Sequence, residues 1–268
     1  MKKLIKAILF ILVVLIVLAI VGVVGVILFA DKAVKTAVET AGTKTLNVAV
    51  KVGKANASVL SGAVGLQDIT VANLPGYQAA ALLKLQQVNL KADTKSLLGK
   101  ELLIKEMKLD NMEVFVEQRG LQNNLYQVIK PLREPHQPTG RTLVIDNLEI
   151  TNVTVHTSLS GLAGQPQSMD LKLASIKMGD LGRSEKMDTA VLISKILLAV
   201  ASGIAEQGGG ILPKEMTGQL GSVLDKAIDI GKTILTPGGT TPDGKQKDSL
   251  GKSVTDGIKD LIGGKKKQ

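Results

Sequence analysis

Cysteine and tryptophan are absent from this sequence of 268 residues, and histidine occurs only twice. Without cysteine the chain can form no disulfide, no thiol nucleophile, no cysteine-ligated zinc site and no iron–sulfur cluster. Two histidines are too few for a three-histidine metal site. Three phenylalanines and two tyrosines provide few rings for base stacking, so we expect no nucleic-acid partner.

Aliphatic side chains take the place of the missing rings. Hydrophobic residues are 44% of the chain although aromatic residues are only 2%. This apolar fraction is too high for an intrinsically disordered protein. The formal net charge of +9 is spread along the chain, except for the three consecutive lysines Lys265–Lys267. The sequence therefore predicts a folded domain whose core consists of Leu, Val, Ile and Ala.

Residues 7–30 form an uncharged and almost entirely apolar run. As an α-helix this run would be about 36 Å long, which is enough to cross a hydrocarbon core of about 30 Å. A cleaved signal peptide is the alternative, but its apolar core of about 7–15 residues is shorter and is followed by small residues, whereas Leu28 is large. We predict an uncleaved transmembrane anchor, with the lysine-containing residues 1–6 as a cytoplasmic stub.

After the anchor, residues 31–43 are predicted to form a connecting helix that Asp31 caps and Gly42 ends. From residue 44 to residue 182, apolar and polar residues alternate in several stretches. Alternation with one polar face is typical of an antiparallel sheet that is covered on one side only. The inner, apolar face is predicted to carry Leu46, Val48, Val50, Val88, Leu90, Met112, Val114, Val116, Val153, Val155, Leu171 and Leu173.

Helical periodicity replaces the alternation after residue 182. We predict a helical segment at 183–235, a linker at 236–249 and an amphipathic helix with a basic tail at 250–268. The last helix either packs on the sheet or lies on a membrane surface. The predicted fold class is α+β: an N-terminal transmembrane helix, a curved antiparallel β-sheet that forms a partial groove or half-barrel, and C-terminal helices that pack on it.

A degenerate repeat runs through the predicted strands, with the template apolar-x-x-apolar-x-apolar-x-Asn-apolar. The two-residue gap predicts a β-bulge, because one extra residue returns the following side chains to the same face. Asn or Asp near the end of each copy predicts a turn that ends the strand. The four copies place this polar residue at Asn73, Asn111, Asn152 and Asp180. Stacking of such units would extend one curved sheet.

No catalytic, cofactor or metal site is predicted, and we expect a protein that is not an enzyme. His136 lies in the proline-rich loop KPLREPHQPTGRT, and His156 lies on the polar face of a strand, with no motif that connects it to a nucleophile. The glycines Gly208–Gly210 are not followed by the Gly-Lys-Ser/Thr ending of a phosphate-binding loop.

Several segments together resemble the AsmA-like family of bacterial envelope proteins. They are GLQDITVANLPGY, LQQVNLKADTKSLLGKELLIKEMKLDNMEVFVE, NNLYQVI, LVIDNLEITNVTVHT and MDLKLASIKMGDLG. The turn Asn73–Tyr77 matches the Asn-Pro-x-Gly-aromatic element of the family, with the proline shifted by one residue. The resemblance covers about residues 1–205 and identifies a short member with a single block of repeats. It implies a protein anchored in the bacterial inner membrane, with its bulk in the periplasm.

Two functions remain open from the sequence. In the first, which the family implies, the apolar face is a groove that binds or passes phospholipid and contributes to outer-membrane assembly. Such a groove removes acyl chains from water, which is worth about 0.8 kcal/mol per CH₂. In the second, the chain is a non-catalytic, membrane-anchored scaffold with a closed core, and an exposed strand edge pairs with an envelope protein partner.

Overall fold

The computed structural model describes residues 29–120, 122–132, 140–160, 167–208 and 233–236, together with residues 216, 218 and 220. All of them belong to one compact unit, Met1–Pro237. The predicted stub, all but the last two residues of the predicted anchor, His136, and the predicted C-terminal linker and helix beyond residue 236 lie outside the described residues.

The described chain forms nine strands and three α-helices. The strands are β1 (Val50–Ser58), β2 (Ala63–Ala72), β3 (Ala81–Ala92), β4 (Glu101–Arg119), β5 (Gln122–Asn123), β6 (Thr142–Ser160), β7 (Gln167–Leu173), β8 (Ser175–Leu181) and β9 (Thr233–Thr236). The helices are α1 (29–46), α2 (Asn124–Leu132) and α3 (Thr189–Gln207), with a 3₁₀ helix at Thr94–Leu98. Helix α1 occupies the place of the predicted connecting helix, but the predicted ends are wrong. The helix continues past Gly42 to residue 46, and Asp31 lies inside it, where its side chain accepts a hydrogen bond from Ala57 N of β1.

All nine strands belong to one open sheet with the order β1-β2-β3-β4-β6-β8-β9, in which β5 pairs with β4 and β7 pairs with β6. The predicted α+β class is confirmed, but the prediction of a wholly antiparallel sheet is wrong. Strands β4 and β6 are parallel over their full length, from Glu101↔Thr142 to Arg119↔Ser160. They can be parallel because the connection between them, which includes α2, returns the chain to the other end of the sheet.

Helices cover the apolar face of the sheet. Helix α3 contacts β6, β7 and β8, and α2 contacts β4 and α3. Asp188 caps α3 by accepting a hydrogen bond from Val191 N at 3.0 Å. The predicted packing of a C-terminal helix on the sheet is therefore confirmed for α3. The predicted helical segment is wrong at its end, where residues 233–236 form β9 and pair with β8.

Within the described residues, α3 is also the one helix that is long and apolar enough to cross a membrane. Its apolar window has a mean hydropathy of 1.7, and 56% of it is buried inside the protein. A core helix of a folded domain has the same properties, and the contacts of α3 with three strands fit that interpretation.

Candidate functional site

Eleven of the twelve side chains predicted to line a lipid groove are buried. They are at most 8% exposed and belong to one continuous apolar cluster, whereas Leu90 is partly buried against it. The same cluster contains side chains of α2 and α3 and the helical residues Met216 and Leu220. These side chains form the buried core of the described structure, where the sequence left an open groove and a closed core as alternatives.

Two glycines show how closely the helices approach this face. A Cβ atom on Gly203 of α3 would lie 3.2 Å from Leu173 Cδ1 and 3.8 Å from Ile176 Cδ1. A Cβ atom on Gly42 of α1 would lie 3.0–3.2 Å from three side-chain atoms of Val50. Contacts this short leave no room for an acyl chain between helix and sheet at these two places.

Helix α1 also covers the outer edge of β1. An edge strand normally presents unpaired N–H and C=O groups, to which another chain can add a strand. Residues spaced by four lie on one face of a helix, and this face of α1 binds the backbone of β1. The bonds are Val50 N to Thr43 Oγ1 (3.0 Å), Val52 N to Glu39 Oε1 (2.8 Å), Ala57 N to Asp31 Oδ1 (2.6 Å) and Lys35 Nζ to Gly53 O (3.2 Å).

The polar face of the sheet is crossed by a row of positions that the strand pairing skips. Gly53 and Asp68 lie opposite each other in β1 and β2 but do not form a ladder pair, and the same holds for Gln86 and Asn111 in β3 and β4. The pairs before and after these residues have the same register. The row, which we call the bulge row, consists of Gly53, Asp68, Gln86, Asn111 and Asn152.

Three members of the bulge row adopt the left-handed conformation, with φ of 55° at Asp68, 54° at Asn111 and 53° at Asn152. Asn and Asp tolerate this region better than other residues with a side chain. Each strand gains one residue at the row, so apolar residues three positions apart lie on the same face. Leu109 and Met112, on either side of Asn111, are both buried for this reason.

A second, shorter row crosses three strands at Lys105, Asp146 and Asp180. Asp180 has a φ of 55°, and Arg183 binds both Asp146 and Asp180. Hydrogen bonding and the charge of Asp146 raise the pKa of Arg183 above its ordinary value. In the first three copies of the sequence repeat, the two-residue gap coincides with one of these rows, at Asp68, Lys105 and Asp146. In the fourth copy the gap falls at Ala174, between β7 and β8.

The predicted turns at the ends of the repeats are wrong at Asn111 and Asn152. Asn111 and Asn152 lie inside strands of 19 residues, and Asp180 lies within β8. In β4 and β6 the left-handed residue accommodates a bulge, and the strand continues in the same direction. Strand β8 ends at Leu181, one residue after Asp180, and a turn with left-handed Gly182 follows. Only Asn73 lies in a loop, directly after β2, where its Oδ1 accepts a hydrogen bond from Leu74 N at 2.9 Å.

Beside the bulge row, the polar face has an open groove of about 520 Å³ that polar side chains surround. Asn111 Nδ2 donates to Gln86 Oε1 at 2.7 Å. Asp110 Oδ1 accepts from Thr151 Oγ1 at 2.5 Å and from Asn152 Nδ2 at 2.8 Å. The bond from Thr151, followed by that from Asn152, lowers the pKa of Asp110 below its ordinary value.

A buried polar network fixes the loop after β2. Glu117, only 3% exposed, accepts hydrogen bonds from Gln78 N at 2.7 Å and Ala79 N at 2.5 Å, and from Asn73 Nδ2 at 3.2 Å. Asn124 Nδ2 donates to Asn73 Oδ1 at 3.0 Å. Two segments that carry the AsmA-like resemblance, the turn Asn73–Tyr77 and the NNLYQVI segment, are therefore joined in space.

Tyr77, the aromatic residue of this loop, is contacted by Arg119 and Gln127. Arg119 donates to Gly76 O, and its guanidinium lies 5.8 Å from the ring centroid of Tyr77. Gln127 Nε2 donates to Tyr77 Oη at 2.8 Å. Burial raises the pKa of Tyr77 above its ordinary value. The positive charge of Arg119 partly opposes this increase, and the negative charge of Glu117 adds to it.

His156 lies on the polar face, as the sequence predicts, and it has a partner there. Its Nδ1 lies 2.8 Å from Asp170 Oδ1, and its ring stacks on Phe115 with centroids 4.9 Å apart. Lys84 Nζ lies 5.3 Å from the Phe115 centroid. Among the described residues, no group of three or more His, Asp or Glu side chains is placed to hold a metal ion.

Sequence reasoning missed Glu117 and Asp170. Glu117 follows the apolar Val116 and looks like an ordinary solvent-facing residue; only the loop that folds over it makes it buried. Asp170 lies opposite His156 in the pairing of β6 with β7. The alternation of both strands is visible in the sequence, but the register that brings the two residues together is not.

No protein-family model matches the chain, and no curated protein sequence is similar to it.

Proposed function

We propose that this chain is a non-catalytic protein of the bacterial envelope, anchored in the inner membrane by residues 7–30, which binds a protein partner in the periplasm through the polar face of its sheet. The anchor rests on the apolar run and its lysines, and the bacterial setting rests on the AsmA-like resemblance. The observation that carries the proposal is the contrast between a buried apolar face and an open polar groove at the bulge row.

The groove suits a polar protein surface. Its walls include Lys84 and Glu113, charges of opposite sign, and the amides of Gln86, Asn111 and Asn152. Amide groups both donate and accept hydrogen bonds, and interfaces of non-obligate complexes are about as polar as the remaining surface. Addition of a strand at β1 is not proposed, since α1 occupies that edge.

Site-specific photo-crosslinking in intact cells tests this proposal. A photoreactive amino acid at Gln86 or Glu113, both on the groove, is expected to give one defined protein adduct. The matched control is the same amino acid at Gln122, which is exposed at the end of the sheet, and no such adduct is expected there. Equal labelling at all three positions, or none at the groove, would contradict the proposal.

Phospholipid binding is the second candidate, and one observation favours it besides the resemblance. Helix α3 is apolar around most of its circumference, and its one lysine, Lys195, is bound at 2.7 Å by Glu185, which precedes the helix and is half exposed. A helix of this kind can exchange its contact with the sheet for contact with acyl chains. The underlying face of the sheet is aliphatic, as a lipid site requires.

A phospholipid with a photoreactive acyl chain distinguishes the two candidates. The full chain is reconstituted in vesicles that contain this lipid, irradiated and digested. Crosslinked peptides from β6, β7 and β8 are expected if lipid enters beneath α3. Crosslinks confined to the predicted anchor are expected if the core stays closed.

A further inference from the structure

Four large apolar side chains are prominently exposed in the described part of the molecule. Phe29 is 67% exposed, Val59 39%, Leu60 81% and Leu98 99%. Single exposed apolar residues are common on soluble proteins, whereas clusters mark sites of interaction. The position of these four residues in the fold is therefore informative.

All four lie at the same end of the sheet. The bond from Ala57 N to Asp31 Oδ1 places the start of α1, with Phe29, beside the end of β1. Val59 and Leu60 belong to the β1–β2 hairpin, whose Gly62 O accepts from Ala92 N at 2.8 Å at the end of β3. The 3₁₀ helix that ends at Leu98 follows within a few residues. We call this the proximal end of the sheet.

Basic residues accompany these apolar side chains. Lys95 and Lys100 flank Leu98 and are exposed, and Arg141 joins them by donating to Ser96 O at 2.7 Å. Of the nearby carboxylates, Asp93 is paired with Lys105 at 3.3 Å and Asp31 is bonded to the backbone of β1. Glu101 is exposed, so the described side chains around Leu98 carry an excess of positive charge.

The chain that precedes the described residues enters at this same end. Phe29 and Ala30, the last two residues of the predicted anchor, begin the described part of α1. Because α1 runs along β1 in the opposite direction, the proximal end of β1 is the end next to the anchor. A bilayer that holds the anchor would therefore lie beneath Leu60 and Leu98.

We propose that the proximal end docks on the membrane surface, with Leu60 and Leu98 in the boundary between headgroups and acyl chains and with Lys95, Lys100 and Arg141 against anionic headgroups. The sheet then stands on the bilayer, and its strands lead away from it. This inference rests on the proposed anchor.

The absence of cysteine allows a direct test with single labels on the full chain. Leu60→Cys, Leu98→Cys and, as a control at the opposite end, Gln122→Cys are labelled with a fluorophore in vesicles of phosphatidylethanolamine and phosphatidylglycerol. Lipids that carry a nitroxide near the headgroup are expected to quench the labels at 60 and 98 and to leave the label at 122 unquenched. Removal of phosphatidylglycerol should weaken the quenching, since the basic residues lose their partners.

A second variant separates docking from mere proximity. A label on Ser61→Cys, in the same hairpin, is expected to lose its quenching when Leu60→Asp and Leu98→Asp are introduced together, with the circular dichroism spectrum unchanged. Resistance of the protein to carbonate extraction reports separately on the anchor. Unquenched labels at 60 and 98 in an anchored protein overturn docking alone. Labels shielded from aqueous quencher but not reached by lipid quencher would mean that a protein covers this end, and loss of anchoring would overturn both proposals.

Discussion

The two faces of the sheet are built from the same strands but differ in burial: one lies beneath the helices and the other is open to solvent. On one face, Val114, Val116 and Val155 are at most 1% exposed beneath the helices. On the other, the bulge row borders an open polar groove. The alternating pattern shows which face of the sheet each residue lies on. Closure of the apolar face depends on α3, which comes after the last copy of the repeat in the sequence. A pattern of alternation therefore does not show whether an apolar face is a groove or a core.

The largest difference between the faces is expected from one charged substitution on each. Val155→Asp places a carboxylate where the side chain is fully buried and should lower the free energy of unfolding by about 4 kcal/mol or more. Thr154→Asp, one residue earlier and on the polar face, should change it by less than about 1 kcal/mol. Denaturant unfolding followed by circular dichroism measures both. Similar losses for the two variants would mean that the faces do not differ in burial.

Glu117 is an exception on the polar face, because its side chain is buried there. Glu117→Ala leaves the backbone N–H groups of Gln78 and Ala79 without their acceptor and should cost about 1–3 kcal/mol. The exposed Glu113→Ala is the control and should cost under about 0.5 kcal/mol. The loop 73–80 should also become sensitive to protease in the Glu117 variant. Equal stability of the two variants would show that the network does not hold the loop.

A smaller effect is expected within the bulge row. Asn111→Ala puts an ordinary side chain at a φ of 54° and should cost about 1–2 kcal/mol. Asn111→Gly fits that conformation without strain, so thermal unfolding should show it to be more stable than the alanine variant. At Glu113, two residues on in the same strand, the order should reverse, because glycine weakens a regular strand. An alanine variant at 111 as stable as the glycine variant would contradict the assigned bulge.

The pH dependence of stability should show the smallest effect. The pKa of Asp110 is lowered in the folded protein, so its contribution is fully present above the ordinary carboxyl pKa of about 3.9 and is lost as the pH falls through the lowered value. Asp110→Asn should therefore flatten the stability profile on the acid side below about pH 4 and leave the slope at neutral pH unchanged. Unfolding curves between pH 2 and pH 7, a range set by the carboxyl titration, measure this. An unchanged acid limb would mean that Thr151 and Asn152 do not stabilise the carboxylate.

The sequence predicts the inner face of the sheet well, because burial follows the period of two between the bulges. Eleven of the twelve predicted positions are in the core, and three of the four two-residue gaps of the repeat coincide with a row of bulges. The parallel pairing of β4 with β6 could not be read from the pattern, since alternation is the same for either direction. Nor could the burial of Glu117, which depends on a loop about forty residues away in sequence.

The apolar face of the sheet forms a closed core beneath the helices. Native mass spectrometry of the full chain, extracted from membranes in a mild detergent, tests it most directly. We expect a protein mass without retained phospholipid under conditions that preserve the fold, both for the parent chain and for a Leu90→Ser variant. Phospholipid retained in a fixed ratio, and lost when Gly203→Val alters the packing of α3 on Leu173, would contradict a closed core and establish a lipid site.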